Sequence, residues 1–105
     1  MRWLYHVMRA DSPCLEPYSP ASLAQEGFVH CSYRDAAAES ARLYFPTGAA
    51  VVVLQIDPRR LGCEVRVAET PRGPMPHVHG AIPRAAIARV LTIDQLADAP
   101  DAIFG

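Results

Sequence analysis

The chain has 105 residues, enough for one domain with one modest core, and its ten basic and eleven acidic residues leave a formal net charge of −1. A charge this close to zero argues against binding of long nucleic acid through its phosphates, which requires a dense basic surface. Three widely spaced cysteines argue against a disulfide framework or a cysteine-type zinc site. With no signal-peptide pattern and no membrane-spanning apolar run, we expect a single cytoplasmic domain over residues 1–105, with no membrane partner.

In chain order, the first predicted elements are a strand and a short helix. Alternating side chains over residues 3–8 predict a strand with one face buried. Ser19 and Pro20 are typical of a helix N-cap and first helical residue, and Gly27 is typical of the residue that ends a helix.

The middle of the chain predicts a strand, a helix and a second strand. Residues 28–31 indicate a brief strand. Ser32 with Asp35 three residues later is a variant of the capping box, which predicts a helix over residues 33–45. The segment 50–56 is apolar at almost every position, so we expect it to be buried on both faces and central in its sheet.

The last third of the chain predicts further short strands. Residues 64–69 alternate as a strand does, whereas residues 70–76 are rich in Pro and Gly and predict a loop. Residues 77–79 read as extended and residues 87–93 as a final strand. Five or six short strands with two helices near the front, without regular alternation, favour an α+β fold.

Four histidines are the main candidates for chemistry, because neutral imidazole can serve as general base, hydrogen-bond acceptor or metal ligand near pH 7. His6 lies in mid-strand and His30 just before a helix, while His77 and His79 are two residues apart and should project to the same side of an extended chain. Each could equally be a structural strand histidine. No Asp or Glu supports a His-x-His zinc site at suitable spacing, so we predict no metal.

Three other residues have both a structural and a functional interpretation. Ser32 could cap the helix, or it could receive a phosphate at the helix N-terminus with Arg34 close by. Cys31 should point away from His30 and Ser32, and we assign it to the core. Glu69 could act as acid, base or acceptor for a ribose hydroxyl, or it could be an ordinary strand-end residue paired with an arginine.

Three segments resemble one bacterial family. They are Tyr-His-Val at 5–7, Glu-Gly-Phe-Val-His-Cys-Ser at 26–32 and Pro-His-Val-His-Gly at 76–80. Together they resemble the family called domain of unknown function 952, and the resemblance runs over residues 4–104. His79 stands where that family usually has a Tyr. The sequence lacks the motifs of Rossmann dehydrogenases, P-loop NTPases, α/β-hydrolases and zincins.

That family looks like a compact relative of the ADP-ribosyltransferase fold, which RNA 2′-phosphotransferases share and which binds NAD in a cleft. The resemblance implies two small packed β-sheets that form a cleft, with two helices from the N-terminal half. It also implies that His6 would hold the nicotinamide-side ribose, and that His30 and Ser32 would line the second wall. The catalytic Glu of ADP-ribosyltransferases has no counterpart, because its position falls near His77, and Glu69 is the substitute that the sequence offers.

Three functions follow as hypotheses. The first is a transferase of ADP-ribosyltransferase type that binds NAD or a related nucleotide. The second is an acid–base enzyme that uses its histidines on another metabolite. The third is a non-catalytic module that binds a nucleotide, a metabolite or a protein, and the sequence does not identify any protein partner. The candidate catalytic residues are His6, His30, His77 and His79. The candidate cofactor-binding residues are His6, His30, Ser32, Arg34 and Glu69.

Overall fold

A computed structural model describes residues 1–104 as six strands, two α-helices and three short 3₁₀ helices. The strands are β1 (Leu4–Arg9), β2 (Val29–His30), β3 (Val51–Ile56), β4 (Val65–Thr70), β5 (Gly73–Val78) and β6 (Ile87–Leu91). The helices are α1 (Ala21–Glu26) and α2 (Arg34–Tyr44), and the 3₁₀ helices cover Pro58–Arg60, Arg84–Ala86 and Asp94–Asp98. This confirms the predicted α+β class. Neither α-helix has the length and apolarity needed to cross a membrane, and the same holds for every helix within residues 1–104.

The strands form two antiparallel sheets of three strands each. The first sheet has the order β1-β3-β6 and the second the order β2-β5-β4. In the first sheet, Leu4 lies opposite Ile56 and Arg9 opposite Val51. The central position predicted for the apolar segment 50–56 is confirmed, because β3 has a neighbour on each side.

Strands β1 and β3 of the first sheet are largely buried on both faces, whereas Ala88, Arg89 and Val90 of β6 are exposed. On one face, Tyr5 and Val53 pack with Ala37 of α2 and with Leu96 of the last 3₁₀ helix. The opposite face contributes to a second core that includes residues of the second sheet; its buried members are Leu4, Met8, Tyr18, Val29, Cys31, Leu54, Ile56, Val78, Ile82 and Ala86. The core position predicted for Cys31 is therefore confirmed. The half-buried prediction for β1 is wrong, because helices cover one face and the second sheet covers the other.

Two backbone hydrogen bonds join the two sheets. The Tyr5 N–H donates to the Ser32 carbonyl at 2.8 Å, and the Ser32 N–H donates to the Tyr5 carbonyl at 2.7 Å. One residue earlier, the Cys31 N–H donates to the Pro76 carbonyl of β5 at 3.1 Å. The short segment 30–32 is therefore hydrogen-bonded to β5 through Cys31 and to β1 through Ser32. Strands β1 and β5 approach each other at this segment and diverge beyond it.

The loop predicted over residues 70–76 is wrong, because most of that segment forms β5. Pro74 and Pro76 lie opposite Glu69 and Val67 of β4. Alternate backbone groups of a strand face its two neighbours, and the Pro76 carbonyl faces β2, so both proline nitrogens point to the β2 side. Strand β2 pairs with β5 only at residues 77 and 78. Both prolines therefore lie outside this paired stretch, where a strand tolerates the missing N–H.

Helix α1 begins one residue later than predicted. Pro20, rather than Ser19, is its N-cap residue, and no side chain caps the helix. The predicted end is confirmed, because Gly27 adopts a left-handed conformation with φ of 87° and its N–H donates to the Leu23 carbonyl at 3.0 Å. A residue with a Cβ disfavours this conformation, which is why Gly ends the helix here.

Substitution of Gly80 by Ala should destabilise the fold where the chain leaves β5. A Cβ at Gly80 would lie 2.7 Å from the Cys63 Cβ and 2.9 Å from its Sγ, so the backbone would have to move. We expect a loss of about 1–3 kcal/mol in the free energy of unfolding, measured by urea denaturation. Gly62→Ala is the matched control, because a Cβ at Gly62 meets nothing within 4 Å. Equal losses in both variants would contradict the close approach.

Candidate functional site

A cleft of about 650 Å³ opens where β1 and β5 diverge. Its volume falls within the range of roughly 300–1,000 Å³ that is usual for small-molecule sites. Strand β1, the segment 30–32, the C-terminal part of α2 and the β4–β5 hairpin supply its walls. The lining residues are His6, Val7, His30, Cys31, Ser32, Ser40, Tyr44, Phe45, Thr70, Pro71, Arg72, Met75 and His77.

His6 lines the cleft, but both of its ring nitrogens are engaged by the protein. Its Nδ1 lies 2.6 Å from the His30 carbonyl and its Nε2 lies 2.8 Å from the Tyr18 hydroxyl. A carbonyl only accepts, so Nδ1 carries the proton and Nε2 accepts from Tyr18. Burial lowers the pKa of His6 to about 4, against the smaller opposing effect of its bond to His30, and keeps the ring neutral. Burial likewise raises the pKa of Tyr18 to about 12, which keeps its hydroxyl a donor.

The other three histidines gather around Phe28 on the second sheet. The His77 ring stacks on Phe28 with 4.0 Å between centroids and 13° between planes. The centroids of His79 and His30 lie 5.4 Å and 4.8 Å from that of Phe28. His30 and His77 are register partners, with ring centroids 5.5 Å apart. His77 and His79 therefore share a face, as their spacing predicted. His30 and His77 line the cleft, whereas His79 lies outside the lining set.

The electrostatics of this cluster distinguish His77 from His30. Partial burial lowers the pKa of His77 from its ordinary 6.5, and the neighbouring His30 and His79 lower it further, against a smaller opposing effect of Glu26. His77 is therefore neutral at pH 7 and able to accept a proton. The Nε2–H of His30 donates to the carboxylate of Glu26, which ends α1 four residues earlier. This bond leaves Nδ1 as the acceptor nitrogen of a neutral His30.

Ser32 is not the helix cap that the sequence predicted. The N-cap residue of α2 is Tyr33, and no side chain caps this helix. The backbone of Ser32 is held by Tyr5, and its hydroxyl lies 2.7 Å from the hydroxyl of Ser40 in the second turn of α2. Both serines are buried and line the cleft. The Ser32 hydroxyl thus bonds to Ser40 instead of capping the N-terminus of α2.

Two predicted binding residues lie away from the cleft. Arg34 donates to the Ala97 carbonyl and lines a separate cavity between α2 and the last 3₁₀ helix. Glu69 is exposed on β4 opposite Pro74, and it is absent from the residues that line the cleft. The structure therefore brings His6, His30, Ser32 and His77 together at the cleft and leaves Arg34 and Glu69 outside it.

Arg72 is a cleft residue that sequence reasoning missed. Its Nε donates to Glu39 at 2.6 Å, and its Nη2 donates to the Ser40 hydroxyl at 2.9 Å and to the Ala36 carbonyl at 3.3 Å. The sequence signal for it was the turn Pro-Arg-Gly at 71–73, which joins β4 to β5. The prediction of a loop over residues 70–76 gave no reason to place Arg72 beside α2. Glu26, Tyr44 and Phe45 were also missed, although Glu26 belongs to the motif that contains His30. Across residues 1–104, no group of three or more His, Cys, Asp or Glu side chains could hold a metal ion.

Comparison with known proteins places the chain in a family. Residues 8–90 match the family model described as "Protein of unknown function (DUF952)". The chain belongs to the DUF952 family. Its structure is similar to the crystal structure of protein CC0527 from Caulobacter crescentus, with a TM-score of 0.73 and 19% identity over 86% of this chain and 84% of that chain. A double mutant of CC0527 gives a TM-score of 0.73 at 18% identity. No curated protein matches the chain.

These comparisons confirm the family resemblance that the three motifs indicated. At 19% identity, the likeness to CC0527 concerns the fold alone. The site of this DUF952 protein therefore has to be interpreted from its own residues.

The stability of this DUF952 protein should fall as the pH drops from about 6.5 towards 4. The pKa of His6 is about 4 when folded and close to 6.5 when unfolded, so the unfolded chain binds more protons in that window. Above pH 6.5 His6 is neutral in both states and does not lower the free energy of unfolding. Between pH 6.5 and about 4, the free energy of unfolding should fall by about 1.4 kcal/mol per pH unit. Urea denaturation at several pH values measures this slope. His6→Gln should flatten it, and an unchanged slope in that variant would contradict the assignment.

The titration of His77 should depend on His30. We expect an NMR titration to give His77 a pKa below 6.5, because of partial burial and the nearby charges of His30 and His79. In His30→Gln one of these charges is absent, so the pKa of His77 should rise. Arg34→Gln is a control, because Arg34 lies at the other cavity. A His77 pKa that is the same in the wild type and in His30→Gln would show that the two rings are not coupled.

Proposed function

We propose that the cleft binds a small molecule of the nucleotide class, with NAD as the first candidate, and that His30 and His77 exchange protons with it. The observation that carries this proposal is the pair of adjacent imidazoles on one wall of a largely apolar cleft of about 650 Å³. One imidazole is held by a carboxylate, and the other has a lowered pKa. Such a combination of pocket and perturbed groups is typical of functional sites.

The lining residues favour a ligand with a flat ring and a polar or charged part. Tyr44 and Phe45 at the end of α2 bring aromatic rings to the cleft, and Val7 and Met75 add apolar surface. Arg72 lies at the hairpin end of the same cleft. A nucleobase or nicotinamide ring suits the apolar walls, and the rest of a nucleotide suits the polar end. The cleft between two small sheets is also the place in which the ADP-ribosyltransferase resemblance implies NAD.

The two histidines supply complementary halves of acid–base chemistry. The carboxylate of Glu26 accepts a hydrogen bond from His30 and orients its ring, much as a carboxylate orients the base of a catalytic triad. His77 is neutral at pH 7 and able to accept a proton, because its pKa is lowered. General acid–base catalysis by positioned groups contributes about 10²–10⁴-fold to a rate. Proton transfer to and from the bound molecule is therefore the chemistry that we propose.

We do not propose the usual ADP-ribosyl transfer, which relies on a carboxylate near the ribose. The cleft-lining residues, all within residues 1–104, include no Asp or Glu, and Glu69 lies outside the cleft. The ribose role that the resemblance implies for His6 would require it to release Tyr18 or the His30 carbonyl. We therefore assign His6 to shaping the wall of the cleft.

Binding is tested by thermal denaturation of the protein with NAD, ADP-ribose, AMP and nicotinamide. At a ligand concentration one hundred times the Kd, stabilisation should reach about 2.7 kcal/mol, which corresponds to a rise of several degrees in Tm. The shift should be reduced in His77→Ala and retained in His79→Ala, because these two residues share a face and only His77 lines the cleft.

The outcomes separate the two parts of the proposal. The absence of a shift with all four compounds, or equal loss in both histidine variants, would contradict binding in this cleft. Mass spectrometry of the nucleotide after prolonged incubation tests the chemistry. Binding without any change in the nucleotide would contradict the acid–base part and indicate a binding module.

A further inference from the structure

The guanidinium of Arg72 is fixed at the wall of the cleft, and one of its nitrogens, Nη1, makes no hydrogen bond within residues 1–104. Its side chain is 20% exposed, and its hydrogen bonds to Glu39, Ser40 and the Ala36 carbonyl hold it against α2. These bonds use Nε and Nη2. Within residues 1–104, both N–H groups of Nη1 therefore remain for a ligand. A guanidinium that is held in place loses little conformational entropy when it binds.

The serine pair beside Arg72 also has a proton to donate. Ser40 accepts from Arg72, and the hydroxyls of Ser40 and Ser32 lie 2.7 Å apart. One hydrogen bond between two hydroxyls uses one of their two protons, whichever serine donates. The second proton belongs to a buried hydroxyl that lines the cleft. A buried donor without a partner is costly, so a ligand acceptor at this point would be favoured.

We propose that Arg72, Ser40 and Ser32 form an oxyanion subsite, which selects ligands that carry a phosphate or carboxylate group. The inference rests on the proposed function, because the rest of the ligand would occupy the remainder of the same cleft. The groups that this end offers are donors: two N–H groups of a cation and one hydroxyl proton. Donors of this kind suit an anionic oxygen, and a charge-assisted bond to Arg is stronger than a neutral one.

Glu39 limits the strength of this subsite. Its carboxylate is half-exposed and lies 2.6 Å from the Nε of Arg72, where it neutralises part of the charge that an anionic ligand would meet. Removing that charge should strengthen anion binding, because Ser40 and the Ala36 carbonyl still position the guanidinium. A purely structural role of Arg72, as a tie between the hairpin and α2, predicts no such gain.

The test compares three ligands that differ only at one group: adenosine, AMP and adenosine 5′-carboxylate. Isothermal titration calorimetry should show that the wild type binds AMP about ten- to a hundredfold more tightly than adenosine. The preference should fall to about one in Arg72→Gln and increase several-fold in Glu39→Gln. Arg66→Gln is the matched control, because Arg66 lies on β4 and also bonds a carboxylate, that of Glu64, but it lies outside the cleft.

The possible results discriminate between the subsite and the proposed function. Tight binding of AMP alone, or of AMP and the carboxylate, supports the subsite and tells which oxyanion it prefers. Equal binding of AMP and adenosine to the wild type would overturn the subsite and leave binding in the cleft intact. A preference that survives in Arg72→Gln, or that does not increase in the folded Glu39→Gln variant, would also overturn it. Failure of all three ligands to bind would overturn the subsite, and it would overturn the proposed function as well when NAD, ADP-ribose and nicotinamide also give no thermal shift.

Discussion

The short segment 30–32 is the part of the molecule on which the arrangement of the two sheets depends. Ser32 exchanges two backbone hydrogen bonds with Tyr5 of β1, and the Cys31 N–H is bound by the Pro76 carbonyl of β5. The His30 carbonyl accepts from the ring of His6. Three consecutive residues therefore tie both sheets together at one end. The distance between the sheets is set there, and so is the width of the cleft that opens beyond it.

The pattern of apolar residues along the chain was sufficient to predict those elements whose own side chains require burial. Strand β3 is one such element, because its apolar side chains require burial on both faces and hence a central position. The burial of β1 could not be predicted in the same way, since His6 interrupts its apolar pattern. Its ring is buried because Tyr18 and a backbone carbonyl satisfy both nitrogens. Those partners come from other elements, and alternation along β1 carries no information about them.

The candidate site was predictable to the extent that its residues share a strand. His77 and His79 lie on one face because side chains of a strand alternate. Their approach to His30 depends on the register between β2 and β5, which no local pattern specifies. Arg72 reaches the cleft only because the β4–β5 hairpin packs on α2. In each case the missing information was tertiary, and the capping pattern at Ser32 failed for the same reason.

The two prolines of β5 have a consequence for how a ligand would enter. Residues 74 and 76 offer no N–H on the side towards β2. Strands β2 and β5 therefore cannot form a complete hydrogen-bond ladder beyond their short paired stretch. A neighbouring strand, from this chain or another, finds no complete ladder to extend along that edge. These missing N–H groups limit strand pairing along the edge of β5 that borders the cleft. An incoming molecule would therefore not have to separate paired strands. The free energy that strand separation would cost is not subtracted from the free energy of binding.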